Sequence, residues 1–177
     1  MQDDVHSYCL YCTTGKEQNV AAQITGETGF TAFAPTLVQV EWKGRMAARR
    51  EQIMFPGYVF FYASCADTLP QVSKITHVRK LLTYGGGQQS LYGHDEDIAQ
   101  WLFQYGGVIR ESKALREGDH IVVVDGPMKD LGGVIKTVNK QRQRANIEFT
   151  FGGLTRNVWM AFDWVSSAEE APPARIG

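Results

Sequence analysis

The sequence predicts an α+β fold in two parts, helices layered on a small sheet and then a small β-barrel. Strand and helix patterns alternate through about residue 105, and the texture then changes to short strands separated by glycine-rich and basic turns. With 44% hydrophobic residues in 177, both parts have enough apolar material for a packed core.

The elements follow in order. "HSYCLYC" is rich in strand formers and stops at "TTG". Thr14 and Glu17 then have the Thr-x-x-Glu spacing of a capping box, so a helix is expected to begin there, with Val20, Ala21 and Ile24 as its apolar stripe and Gly26 and Gly29 ending it. "TLVQVEW" alternates apolar and polar residues as a half-buried strand does. A loop is expected next, carrying Lys43, Arg45, Arg49 and Arg50 with no acidic residue inside 43–50. "REQIMFPGYVFF" (51–62) reads as a hydrophobic strand interrupted by Pro56 and Gly57, residues that suit a strand start or bend rather than a strand centre. Leu69, Val72 and Ile75 keep helical spacing, "HVRKLLTY" returns as a strand, and "HDEDIAQWLFQY" is an acid-headed helix with Ile98, Leu102 and Tyr105 on one face. Helices covering one face of a small sheet are the expected layer. Beyond residue 106, "GGVIRESKALRE" reads as a linker, and "HIVVV", "GGVIKTV", "ANIEFTF" and "RNVWM" as barrel strands. The expected division is a first domain at 5–105, a linker at 106–114, a second domain at 115–166 and a loose tail at 167–177.

Several chemistries find no support. Cys9 and Cys12 form a Cys-x-x-Cys pair, but no second Cys or His pair stands at zinc-site spacing, and residues three apart on a strand point to opposite faces. His6, His77, His94 and His120 are scattered. Asp95, Glu96 and Asp97 suit a helix start, and "YGGGQQSLYG" lacks the Lys-Ser/Thr of a phosphate loop. No catalytic constellation is left, so a binding module without metal or other cofactor is expected, not an enzyme. Polar, acidic first residues and apolar runs far shorter than the roughly 18–20 residues of a membrane span predict a soluble, cytoplasmic protein with no membrane association. A monomer is expected.

The formal net charge of −1 conceals a local asymmetry. Residues 129–144 hold Lys129, Lys136, Lys140, Arg142 and Arg144 against Asp130 alone, with Arg156 expected nearby. Cations converging along one hairpin can release the counterions condensed on a polynucleotide, although a polar turn also carries lysines for solubility.

Two motifs bring a family into view. "FPGYVFF" (55–61) followed by "REGDHIVVVDGPMKDLGGVIKTV" (116–138) resembles the NusG family of transcription elongation factors, the second stretch being similar to its KOW motif. "YCLYCTTGKEQNVAAQI" is similar to the family's first strand and helix, including Gly15 and Glu17. The resemblance covers about residues 6–166 and implies an NGN domain with a ferredoxin-like α/β sandwich, then a KOW domain with an SH3-like barrel. It implies docking of a hydrophobic depression on RNA polymerase, here carried by Tyr8, Phe55, Pro56, Gly57, Tyr58 and Phe60. Residues near Ser64 to Thr68 would face the opposite wall of the polymerase cleft; Thr13, Thr14, Lys16 and part of the 43–50 loop would lie near the non-template DNA strand. Ser7-Tyr8 stands where many relatives have Trp-Tyr. The basic hairpin resembles specialised, LoaP-like antiterminator paralogs that recognise a nascent RNA hairpin. The alternative is a general adaptor whose KOW domain binds a termination factor or a ribosomal protein.

Overall fold

The computed structural model describes residues 4–64, 68–131 and 134–166. The expected loose tail from Ser167 onward lies outside these residues, as does most of the segment expected to face the far wall of the cleft. Among the described residues two compact units form, one joining the stretch up to residue 36 to 53–108 and the other joining 37–52 to 109 onward.

The first unit is built on a four-stranded sheet in the order β2-β5-β1-β6, where β1 is His6–Cys12, β2 Thr31–Phe33, β5 Tyr58–Ala63 and β6 Val78–Leu81. β1 runs antiparallel to both β5 and β6, and β2 antiparallel to β5. Tyr8 pairs with Phe61 and Leu10 with Val59, so alternation puts these four on one face together with Cys12 and Ala63. Two helices cover that face, α1 (Glu17–Thr28) through Val20, Ala21 and Ile24 and α2 (Leu69–Ser73) through Leu69 and Val72, with Ile75 just beyond. Each such fully buried aliphatic side chain contributes about 1.5–3 kcal/mol. A third helix, α3 (Gly93–Gln104), serves the other face: the Tyr62 hydroxyl donates to the Ala99 carbonyl at 2.5 Å, and Ser7 donates to Glu96. Helices therefore lie on both faces of the sheet, where the sequence pattern suggested one. Periodicity marks an apolar stripe but not the face it packs against.

Local signals were met in part. α1 begins at Glu17 with no side-chain cap, so the Thr14–Glu17 capping box does not form. Gly26 is interior to the helix, and Gly29, at φ 74° with its N–H on the Thr25 carbonyl, ends it. "YGGGQQSLYG" is irregular apart from a short 3-10 turn at Gly85–Gly87 and its last residue, Gly93, which opens α3.

In the second unit, β8 (Ser112–Glu117), β9 (His120–Asp125), β10 (Val134–Asn139), β11 (Arg144–Phe151) and β12 (Leu154–Trp164) form a five-stranded sheet in the order β10-β11-β12-β8-β9. Ala145, Ile147, Phe149, Val158, Met160 and Phe162 are buried at alternate positions of its longest hairpin, as a curled small-barrel sheet requires. The stretch 106–114, expected as a linker, contains β7 (Val108–Ile109) and the start of β8. The 43–50 stretch, expected as a loop, is mostly strand: β3 (Thr36–Lys43) and β4 (Met46–Ile53) are joined at Gly44, whose φ of 65° permits the tight reversal. β3 also lacks the expected alternation, because Thr36, Leu37, Val38 and Gln39 are all buried.

Candidate functional site

Pro56 and Gly57 occupy the turn between β4 and β5. Phe55 accepts the Tyr58 N–H at 3.1 Å, Pro56 precedes Gly57, and Gly57 has φ 85°, the signature of a type II turn. Glu17 secures it. One carboxylate oxygen accepts the Gly57 N–H and the other the Gly15 N–H, both at 2.8 Å, while the Gly57 carbonyl accepts the Cys12 N–H at 2.9 Å. Glu17 is 2% exposed. Burial alone would raise its pKa, but the hydrogen bonds from the backbone N–H groups of Glu17, Gly57 and Gly15 outweigh that and hold it below the ordinary 4.5. The residue that suggested a helix cap thus joins the first loop to the Phe-Pro-Gly turn.

The six residues expected as one depression are divided by the sheet. Tyr8 points to the face covered by α1 and α2 and stacks on Phe61 at 5.2 Å between ring centroids. Tyr58 and Phe60 occupy the opposite face, where Tyr58 lies against Tyr11 at 4.8 Å and Phe60 against Phe55 at 6.3 Å. Phe55, Tyr58 and Phe60 are 3%, 4% and 0% exposed, and Pro56 is the exposed member of the turn. Parity along β1 separates Tyr8 from the other rings, and sequence order alone did not reveal that.

Cys9 and Cys12 also fall on opposite faces. Burial pushes the Cys9 thiol well up, with Asp95 and Cys12 adding to it, and burial followed by Glu17 pushes Cys12 to about 11. Both stay protonated at neutral pH. The acids at the start of α3 are engaged locally, Asp95 accepting from the Tyr84 hydroxyl at 2.6 Å and Glu96 from Ser7 and Gln100.

The expected basic residues are brought together selectively. Strand end 40–43 and turn 141–144 line a cleft of about 600 Å³ that holds Lys43, Arg142 and Arg144. Glu41 joins two basic groups, pairing with Arg50 at 3.1 Å and Arg144 at 3.5 Å. Arg142 and Arg144 also border a smaller cleft of about 150 Å³ beside Trp159. Lys136 pairs with Glu148 at 3.2 Å, and Lys140 donates to the Asp119 carbonyl. Lys129 follows the Asp-Gly-Pro turn with its N–H on the Gly126 carbonyl, Arg156 stands opposite Phe149, and Arg45 and Arg49 are exposed on the β3–β4 hairpin; none of these four lines the larger cleft. Sequence reasoning named neither Glu41 nor Trp159 (42% exposed) as a binding residue, and it placed Trp42 on the apolar side of a half-buried strand, where the structure leaves it 70% exposed. A tryptophan directly before Lys43 at a strand end was the available signal.

The family model described as "Transcription termination factor nusG" matches residues 6–101, a span that contains the Glu17-bound turn. The chain belongs to the NusG family. Among NusG relatives, the transcription termination/antitermination protein of Buchnera aphidicola is 26% identical over 168 residues, covering 88% of this chain and 92% of that protein. The Escherichia coli K12 NusG is 26% identical over 141 residues, covering 77% of each chain. The Thermus thermophilus NusG is 22% identical over 180 residues, covering 91% of this chain and 97% of its own. A solved structure described as "Domain interaction in Thermotoga maritima NusG" aligns with a TM-score of 0.53 at 20% identity, covering 89% of this chain and 94% of that one, a likeness of fold. This chain is thus a NusG-family factor of the transcription termination/antitermination class. Among the described residues, no helix is long and apolar enough to cross a membrane.

Proposed function

We propose that this NusG-family chain is a noncatalytic antitermination factor that docks on RNA polymerase through its N-terminal NGN domain and holds a nascent RNA hairpin with basic KOW side chains. The observation that carries the RNA half is the meeting of Lys43, Arg142 and Arg144 at one cleft in a chain whose formal net charge is −1. Phosphate contacts from these cations position the RNA, and an arginine reads a guanine edge where the helix is distorted. Tethering to polymerase raises the effective RNA concentration at this cleft. The concentration of cations there favours a specialised, LoaP-like role over a general one.

On the polymerase side, the rigid Phe-Pro-Gly corner presents Pro56, with Phe55, Tyr58 and Phe60 behind it. Those rings are buried, so docking on their faces requires that they be uncovered. Thr13, Thr14 and Lys16 lie next to the corner in the β1–α1 loop, in keeping with a path for non-template DNA. Pro56→Asp, at the exposed member of the turn, is expected to weaken recruitment in a polymerase pull-down while keeping its circular dichroism spectrum; wild-type recruitment would remove this corner from the docking surface. For the RNA half, Arg142→Ala/Arg144→Ala is expected to weaken hairpin binding in a filter assay, and unchanged affinity would remove both residues from the site.

One observation favours the adaptor reading. β10 and β9 are the edges of the five-stranded sheet, and exposed Ile135 and Val122 lie on them, a surface on which a termination factor or ribosomal protein could add a strand. Binding of such a protein, unaffected by Arg142→Ala/Arg144→Ala, would support it.

A further inference from the structure

We propose that the cleft between strand end 40–43 and turn 141–144 holds one unpaired nucleotide of RNA, its base stacked on the Trp42 indole and its phosphates beside Lys43 and Arg142. The inference rests on the RNA-binding reading above and deepens it, adding single-strand recognition to contact with a hairpin.

Three observations converge. The cleft, at about 600 Å³, falls within the range of small-ligand sites, about 300–1,000 Å³. Trp42 is 70% exposed on its rim, an apolar area left in water that a nucleobase would cover. Base stacking on an aromatic side chain contributes about 1–3 kcal/mol and accepts any base, because every base has a π-face. Among the described residues, neither Lys43 nor Arg142 has an acidic partner at ion-pair distance, whereas Arg144 is held by Glu41. Two cations are therefore available for phosphate beside the indole.

Turn geometry keeps Arg142 near that rim. Its N–H bonds the Asn139 side chain at 2.9 Å, and Gln143, a non-glycine residue at φ 53°, holds the left-handed conformation with its carbonyl accepting the Phe162 N–H at 3.0 Å. Gln141 and Gln143 add side-chain donors and acceptors that a ribose 2′-hydroxyl can use. Inside a duplex each base is covered on both faces by its neighbours, so a base stacked on the indole within a strand belongs to an unpaired nucleotide.

The test uses the full chain and fluorescence anisotropy with three labelled probes: a single-stranded oligoadenylate RNA of about ten nucleotides, DNA of the same sequence, and a blunt RNA duplex. Trp42→Ala is expected to weaken single-stranded RNA binding about tenfold or more, with duplex binding and thermal unfolding unchanged; Trp42→Phe retains most of the affinity. Arg142→Ala is expected to lower the affinity and flatten the salt slope by about 0.7. Wild-type affinity in Trp42→Ala overturns the stacking site, and DNA binding as tight as RNA overturns RNA as its occupant. If Trp42→Ala is silent while Arg142→Ala/Arg144→Ala still weakens hairpin binding, the RNA-binding function stands and only this inference falls. If the wild type binds neither the single-stranded RNA nor the hairpin, both fall.

Discussion

Glu17 shows how much one side chain can organise. Its carboxylate bonds the backbone N–H groups of Gly15 and Gly57 at 2.8 Å, so removing it leaves the buried Gly57 N–H without its acceptor. Glu17→Ala is expected to cost about 1–3 kcal/mol in urea unfolding at pH 7, and Glu17→Gln less, because the amide keeps one acceptor oxygen for one of the two N–H groups while losing the second acceptor and the charge. The pH dependence has a definite sign. A carboxyl whose folded pKa lies below its ordinary 4.5 contributes stability that is present above that value and is lost as pH falls through the folded pKa. The difference between wild type and Glu17→Gln should therefore shrink as the pH is lowered below about 4.5. A difference independent of pH would mean that Glu17 acts through packing alone.

At the scale of elements, glycine makes two tight turns possible, the Phe-Pro-Gly corner and the Asp-Gly-Pro turn. The Asp-Gly-Pro turn after β9 holds Gly126 at φ 94° so close to β8 that an added Cβ would sit 2.7 Å from the Ser112 Cα. Ser112 is fully buried, and its hydroxyl accepts the Met128 N–H at 2.9 Å. Gly126→Ala thus combines backbone strain with overpacking, and a loss of about 2–4 kcal/mol is expected by chemical denaturation. The sequence marked most elements because periodicity and turn residues are local: β1, α1 and the strands after residue 112 stand where their patterns suggested. Local logic failed where a residue had a distant partner. Thr14 and Glu17 have capping-box spacing, yet Glu17 bonds Gly57, forty positions along the chain. Residues 43–50 look like a basic loop because their polar side chains hide a hairpin whose strand character lies in its backbone pairing.

Considered as a whole molecule, the chain illustrates why net charge is a poor guide to partners. Acidic residues spread along the whole chain cancel a basic hairpin, leaving −1 overall while Lys43, Arg142 and Arg144 share a cleft. Binding driven by that cleft should be steeply salt-dependent despite the balanced total. Hairpin affinity measured across a salt series is expected to lose about 0.7–0.9 of log–log slope for each phosphate contact removed, so Arg142→Ala should flatten it by that much, and Arg144→Ala, whose guanidinium is paired with Glu41, by less. An unaltered slope with reduced affinity would point to base contacts instead. The grouping of residues 37–52 with the C-terminal unit is what allows segments about a hundred residues apart to contribute to one cleft.

The sequence by itself determined the order of elements, the two-part α+β organisation, the Phe-Pro-Gly break and the concentration of positive charge, since each depends on residues adjacent in the chain. Only the tertiary structure decided that Tyr8 and Tyr58 point to opposite faces, that Glu17 holds Gly57, and that Trp42 and Lys43 meet Arg142. Those juxtapositions depend on strand register and on side-chain hydrogen bonds across long stretches of chain. A register shift of one residue would reverse every face assignment while leaving the composition and local pattern unchanged.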